Sequence, residues 1–154
     1  MTHLKEGDPA PPFEGTDQHG NTVRLSDYKG KKLILYFYPK DNTPGCTAEA
    51  CNLQDHQNEL LEKGYAVVGI SPDSIKSHQN FAGKYNLTFP LIADPDKKIL
   101  NDYGVWGEKK NYGRTYMGVH RTTFVIDEEG KILKIFTKVK TKEHTEQILK
   151  ELED

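Results

Sequence analysis

The residues best suited to chemistry in this sequence are two cysteines, Cys46 and Cys51, which lie five positions apart. A thiolate is both a nucleophile and a metal ligand. The pair therefore fits a redox site or half of a zinc site, and two inert core residues are the third alternative. A zinc site needs two more ligands, and His56 is the only histidine at a short ligand spacing. We therefore expect no metal and no other cofactor at the cysteines.

Cys46 stands where an apolar run, a loop and a helix are predicted to meet. The run of residues 33–38 suits a strand buried on both faces, and a loop with Pro44 and Gly45 follows it. The first turn of a helix offers free N–H groups and the positive end of the helix dipole, which lower the pKa of a thiol placed there. Thr43 can cap this helix, and its hydroxyl can also bond to the sulfur or to a bound oxygen. The pattern thus predicts a reactive thiolate at Cys46.

Helix geometry separates the two cysteines. At about 100° per residue, Cys51 lies about 140° from Cys46, which shares its buried face with four apolar residues. These are Ala50, Leu53, Leu60 and Leu61. Residues i and i+5 of a helix have Cα atoms about 8.7 Å apart, whereas a disulfide needs less than about 7 Å. Cys46 and Cys51 can therefore pair only if the first turns of the helix unwind, as in a redox switch.

The elements that position these residues alternate between strands and helices, which indicates an α/β fold with a mixed central sheet flanked by helices. A small N-terminal hairpin is predicted over residues 13–25, and residues 104–118 are predicted to be a long loop. The predicted strands cover residues 33–38, 65–71, 89–93, 122–126 and 131–136, and the predicted helices cover residues 46–63, 74–85, 96–103 and 142–152. We expect a single domain over residues 1–154.

Composition excludes several classes of function. The 154 residues carry 21 Lys and Arg against 23 Asp and Glu, a net charge of -2, so the chain lacks the basic surplus of a nucleic-acid-binding protein. Its longest apolar run is far shorter than the roughly 20 residues of a membrane helix. The N-terminus has no apolar stretch typical of a secretory signal. We expect a cytoplasmic protein that binds neither membrane nor nucleic acid.

The pattern around the cysteines resembles the active-site signature of peroxiredoxins. Pro39-x-x-x-Thr43-x-x-Cys46 matches the general signature, and a second cysteine five residues after the first is similar to the Q-type subgroup, the bacterioferritin comigratory proteins. The resemblance covers nearly the whole chain. Its other blocks are Gly7-Asp8-x-Ala10-Pro11, Gly69-Ile70-Ser71-x-Asp73-Ser74 and Arg121-x-Thr123-Phe124-x-Ile126-Asp127.

The resemblance implies a thioredoxin-like fold and a thiol-dependent peroxidase that reduces hydrogen peroxide and organic hydroperoxides. It implies that Cys46 attacks the peroxide to give a sulfenic acid and that Cys51 resolves this acid as a disulfide, which thioredoxin or glutaredoxin then reduces. A monomer is expected from the subgroup. The other implied roles are peroxide hydrogen bonding for Thr43, thiolate and transition-state stabilisation for Arg121, shielding for Pro39, and orientation of Arg121 for Glu49.

Without the resemblance, the same residues have plainer interpretations. Arg121 would be a surface arginine at a strand edge, and Glu49 a carboxylate favoured by the helix dipole. Five of the six histidines are expected to be solvated, with His120 near the site because it adjoins Arg121. Two other functions remain open from the residues alone. One is a general disulfide oxidoreductase, which would favour Cys-x-x-Cys, and the other is a non-enzymatic redox sensor.

Overall fold

A computed structural model describes residues 2–153. The chain begins with a hairpin of β1 (Glu14–Thr16) and β2 (Thr22–Arg24), followed by β3 (Lys32–Phe37), α1 (Pro44–Asp55), α2 (Gln57–Glu62) and β4 (Tyr65–Ser71). Next come α3 (Ile75–Tyr85), β5 (Leu91–Ala93) and α4 (Lys98–Asp102). The remaining elements are β6 (Trp106–Asn111), β7 (Arg114–Val119), β8 (Thr122–Ile126), β9 (Ile132–Phe136) and α5 (His144–Glu153).

The described residues form a seven-stranded mixed sheet in the order β2-β1-β5-β4-β3-β8-β9. The central strands β3, β4 and β5 are parallel, whereas β8 runs antiparallel to β3 and extends the sheet on that side. The mixed α/β fold and the N-terminal hairpin confirm the sequence-based expectation. None of the described helices is long and apolar enough to cross a bilayer.

The sheet separates two apolar cores, because successive residues of a strand point to opposite faces. Leu33, Leu35 and Phe37 of β3 point into the core that also contains the α4 residues Ile99 and Leu100. Ile34 and Tyr36 point to the other face, where they pack with residues of α1, α2, α3 and α5. Cys46 belongs to this second core, so the cysteine pair lies on one defined face of the sheet.

The predicted helix over residues 46–63 is two helices. The break falls at His56, whose ring Nδ1 lies 2.8 Å from the carbonyl oxygen of Asn52. As predicted, Cys46, Ala50, Leu53 and Leu60 are buried. The prediction for Leu61 was wrong, since it is 52% exposed. The buried face of α1 therefore continues into α2 at Leu60, whereas Leu61 at its edge faces solvent.

The loop predicted over residues 104–118 was also wrong, because β6 and β7 form an antiparallel hairpin there, separate from the main sheet. Tyr112 and Gly113 connect the strands and both have positive φ, which is the backbone of a tight two-residue turn. Most side chains of this hairpin are exposed, so it lacks the alternation of apolar and polar residues that predicts a strand.

Candidate active site

Cys46 is the third residue of α1, and the preceding loop sets its position. Thr43 occupies the N-cap position with an extended backbone, and Pro44 begins the helix, where its fixed φ is favourable. The first helical hydrogen bond runs from the N–H of Thr47 to the carbonyl oxygen of Thr43, at 2.8 Å. Cys46 is therefore held in the first turn of a regular helix, and it is only 1% exposed.

Asp41 anchors this loop through a network of hydrogen bonds. Its carboxylate accepts bonds from the hydroxyls of Tyr38 (2.6 Å) and Ser77 (2.8 Å) and lies 2.7 Å from Nδ1 of His78. Its backbone N–H donates to the carboxylate of Asp73 at 2.8 Å. The three groups Asp41, Asp73 and His78 are close enough to suggest a metal site, but their polar atoms are already bonded to one another and to neighbours. This network holds the loop to α3, and the sequence analysis did not predict it.

Arg121 joins Cys46 to Glu49. It lies immediately before β8, and its Nη2 donates to the sulfur of Cys46 at 3.2 Å while Nη1 donates to Oε1 of Glu49 at 2.6 Å. Gly45 makes room for this arrangement, since a Cβ atom there would lie 3.3 Å from Nη2 of Arg121. The structure thus brings together three of the six predicted site residues through direct contacts.

Burial and neighbouring charges act in opposite directions on the pKa values of Glu49 and Arg121. Glu49 is fully buried, which raises its pKa to about 7 although the neighbouring Arg121 acts to lower it. Burial also lowers the pKa of Arg121, but Glu49 and Cys46 more than offset this effect and leave it raised. The guanidinium therefore stays charged while it donates hydrogen bonds to Glu49 and to the Cys46 sulfur.

The second oxygen of Glu49 faces a buried histidine. Oε2 of Glu49 lies 3.6 Å from Nε2 of His144 and has no hydrogen-bond partner among residues 2–153. Nε2 of His144 also lies 2.8 Å from the hydroxyl of Thr123, and Nδ1 lies 3.0 Å from Oε1 of Gln147. Oε1 of Gln147 is an acceptor, since it receives the N–H of Lys140, so Nδ1 of His144 carries the proton. Burial lowers the pKa of His144 to about 4, and the neutral ring therefore accepts from Thr123.

The histidines show where the sequence analysis failed. His78 and His144 were expected to be solvated, but both are fully buried. Helix phase carries the missed signal, because His144 stands four residues before the buried Ile148 and therefore on the same helix face. His120, expected near the site, instead places its Nε2 3.0 Å from the carbonyl oxygen of Glu108 in the hairpin.

Cys51 is half-buried in the middle of α1, and both cysteines are free thiols. Burial, with a contribution from Asp55, raises the pKa of the Cys51 thiol. The helix between the cysteines is intact, so their different burial matches the predicted difference in helix phase.

Among residues 2–153, no hydrogen bond joins Thr43 or Pro39 to the side chain of Cys46. The hydroxyl of Thr43 donates to the carbonyl oxygen of Lys40 at 2.9 Å and caps no helical N–H. Pro39 is half-buried and follows β3 by two positions, at the start of the same loop.

Comparison with known proteins identifies the family. A family model described as AhpC/TSA matches residues 6–135. Peroxiredoxin Bcp of Bacillus subtilis is 48% identical over 151 residues, which cover 98% of this chain and 96% of that protein. Peroxiredoxin Bcp of Escherichia coli is 45% identical over 154 residues, which cover 100% and 99% of the two chains.

Comparison with solved structures identifies the same family. A cysteine-to-serine mutant of PrxQ from Xylella fastidiosa is 33% identical, with a TM-score of 0.92, and the match covers 99% of this chain and 98% of that one. A bacterioferritin comigratory protein of Xanthomonas campestris, described for its alkyl peroxide reduction activity, is 34% identical with a TM-score of 0.88, over 99% and 98% of the chains. The chain therefore belongs to the AhpC/TSA family, has the thioredoxin-like fold of peroxiredoxins and is a thiol-dependent peroxidase.

Proposed function

We propose that Cys46 is the residue that attacks the hydroperoxide. Its thiolate sulfur bonds to one peroxide oxygen, the O–O bond breaks, and the other oxygen leaves as water or an alcohol after taking up a proton. The product at Cys46 is a sulfenic acid. The observation that carries this proposal is the 3.2 Å hydrogen bond from Nη2 of Arg121 to the Cys46 sulfur.

Arg121 and Thr43 supply the polar groups for this step. A free cysteine with a pKa of about 8.5 is a few per cent thiolate at neutral pH, so full ionisation accelerates the reaction only about 30-fold. The rest must come from stabilising the breaking O–O bond, which a charged donor such as Arg121 does well. The hydroxyl hydrogen of Thr43 is directed at Lys40, which leaves its oxygen lone pairs free to accept the O–H of the peroxide. Glu49 orients Arg121, and Pro39 shields the site.

Cys51 is the resolving residue in this proposal. Its thiol condenses with the sulfenic acid to give a Cys46–Cys51 disulfide and one water molecule. Since the two Cα atoms of an intact helix at this spacing are about 8.7 Å apart, α1 must unwind locally first. An external dithiol then reduces the disulfide and returns both thiols.

Hydrogen peroxide and organic hydroperoxides are the proposed substrates, and a peroxide and a thiol reductant follow from the family. We assign thioredoxin as the reductant, with glutaredoxin as the alternative, and a monomer as the active form. A reducing compartment such as the cytoplasm suits two cysteines that must be returned to thiols in every cycle.

The test is NADPH-coupled peroxide consumption with thioredoxin and thioredoxin reductase, and in a second series with glutaredoxin. We expect Cys46→Ser to lose all turnover. We expect Cys51→Ser to complete one oxidation of Cys46 and then to stop. Undiminished turnover in Cys46→Ser would refute the assignment of the attacking residue, and sustained thioredoxin-dependent cycling in Cys51→Ser would refute that of the resolving one.

A further inference from the structure

Asn52 holds the turn of α1 that carries Cys51. Its side-chain Oδ1 accepts the backbone N–H of Thr145 at 2.7 Å. Its Nδ2 donates to the carbonyl oxygen of Lys142 at 3.1 Å and to Oε1 of Glu146 at 3.0 Å. One side chain of α1 is thus bonded at three points to the start of α5 and the turn before it.

The backbone of Asn52 adds to this attachment. Its carbonyl oxygen lies 2.8 Å from Nδ1 of His56 and 3.4 Å from the hydroxyl of Thr145. Thr145 is fully buried, and the first N–H groups of a helix have no partner within the helix. If Asn52 leaves its place, the N–H of Thr145 therefore becomes an unsatisfied buried donor until water reaches it.

Disulfide formation must disturb this attachment. Cys51 points about 140° away from Cys46 around the helix axis, and Asn52 follows it directly in the chain. Rotation of the Cys51 backbone towards Cys46 strains the bonds of Asn52, so these bonds oppose the spread of unwinding from the first turns to Cys51.

We propose that Asn52 is a positioning residue that keeps the Cys51 turn closed and thereby sets how fast the Cys46 sulfenic acid is resolved. This inference rests on the proposed roles of the two cysteines. Slow resolution leaves the sulfenic acid open to a second hydroperoxide, which transfers an oxygen to it, is itself reduced to water or an alcohol, and converts Cys46 to a sulfinic acid. The attachment therefore also sets the sensitivity of the enzyme to excess peroxide.

The experiment compares the oxidation and resolution rates of wild type and Asn52→Ala. The reduced protein is mixed rapidly with hydrogen peroxide, the reaction is stopped by thiol alkylation, and mass spectrometry counts sulfenic acid, disulfide and sulfinic acid. If closing is faster than the chemistry, the resolution rate follows the population of the open state. Asn52→Ala removes three hydrogen bonds, two of them exposed, and a net loss equal to one or two bonds of ordinary strength raises that population roughly tenfold.

We expect Asn52→Ala to form the disulfide about tenfold faster, with the rate of Cys46 oxidation changed by less than about twofold and less sulfinic acid at high peroxide. Asn52→Asp keeps an acceptor for the N–H of Thr145 but loses the donor and places a second carboxylate beside Glu146. Its rate of disulfide formation should therefore lie between those of wild type and Asn52→Ala. Gln79→Ala is the control, since Gln79 bonds the carbonyl of Gln18 elsewhere on the surface.

Glu146→Ala provides a second variant that does not threaten folding, because Glu146 is exposed and the variant loses one hydrogen bond to Asn52 and a 3.9 Å contact with Nε2 of His56. A smaller acceleration, about two- to threefold, is expected there. Resolution that is unchanged or slower in both Asn52→Ala and Glu146→Ala, with normal Cys46 oxidation, would overturn the proposal. Absence of any peroxide-dependent sulfenic acid or disulfide in wild type would instead overturn the proposed function.

Discussion

Replacement of Gly45 by alanine is expected to slow the reaction with peroxide while the stability of the protein changes little. Gly45 lies in the first turn of α1 and is not among the glycines with positive φ, so alanine fits its backbone. A Gly→Ala change at such a position adds about 0.4–1 kcal/mol of stability, because it reduces the freedom of the unfolded chain.

The loss of activity follows from one contact. The new methyl carbon would lie 3.3 Å from Nη2 of Arg121, which is a few tenths of an ångström too close. Arg121 must move away, and its 3.2 Å bond to the Cys46 sulfur lengthens. A hydrogen bond to a charged group contributes about 1.5–3 kcal/mol. Weakening it by a third to a half corresponds to a rate of Cys46 oxidation about three- to tenfold lower.

Gly83→Ala is the matched control. Gly83 also lies in a helix, α3, and a Cβ atom there meets nothing within 4 Å. Thermal unfolding should show a rise in Tm of about 1–4 °C for Gly83→Ala and little change for Gly45→Ala, where the weakened bond of Arg121 offsets the gain. Single-turnover oxidation by hydrogen peroxide should be slower only in Gly45→Ala. An oxidation rate within twofold of wild type in Gly45→Ala, or an equal loss in both variants, would refute the link between this glycine and Arg121.

Three further predictions concern the charges around the site. Arg121→Met should slow single-turnover oxidation of Cys46 about 10- to 150-fold, and a loss below threefold would contradict its role. Burial raises the pKa of Glu49 to about 7, so the contribution of Glu49 to the unfolding free energy falls as pH rises from 4.5 towards 7. Burial lowers the pKa of His144 to about 4, so the contribution of His144 increases as pH rises from 4 to 6.5. Glu49→Gln should therefore turn a nearly flat dependence of the unfolding free energy on pH into one that rises through this range, and an unchanged slope in denaturant titrations would count against it. Asp41→Ala should reduce the unfolding free energy by about 3 kcal/mol, because it leaves the buried Tyr38 hydroxyl and His78 ring and the half-buried Ser77 hydroxyl without their partner. A loss below about 1 kcal/mol would show that water or other groups replace it.

The placement of Cys46 was predictable because its signals are local. An apolar run, a Pro-Gly loop and a helix within about 20 residues define the first turn of α1, and helix phase alone separates buried Cys46 from half-buried Cys51. By contrast, Arg121 reaches the site from a distant strand. Nothing around Arg121 itself distinguishes it from a surface arginine, and only the family resemblance pointed to it.

The sequence-based predictions were wrong where an apolar pattern is missing and where residue type was weighed above helix phase. The β6–β7 hairpin is mostly exposed on both faces, so the alternation that predicts a half-buried strand is missing. His78 and His144 were judged by residue type, although their helix phase places them inside. The predicted helix breaks at His56, whose ring contacts the carbonyl oxygen of Asn52, and no apolar or Gly/Pro signal in the sequence marks this break.

The separation of Cys46 and Arg121 along the chain has a consequence for protein synthesis. The two residues are 75 positions apart, and a ribosome adds about 5–20 residues per second, so Arg121 emerges about 4 to 15 s after Cys46. Arg121 reaches the sulfur only after β8 has paired with β3. In the nascent chain, Cys46 therefore lacks its guanidinium partner, and it becomes reactive towards peroxide only when translation has supplied β8.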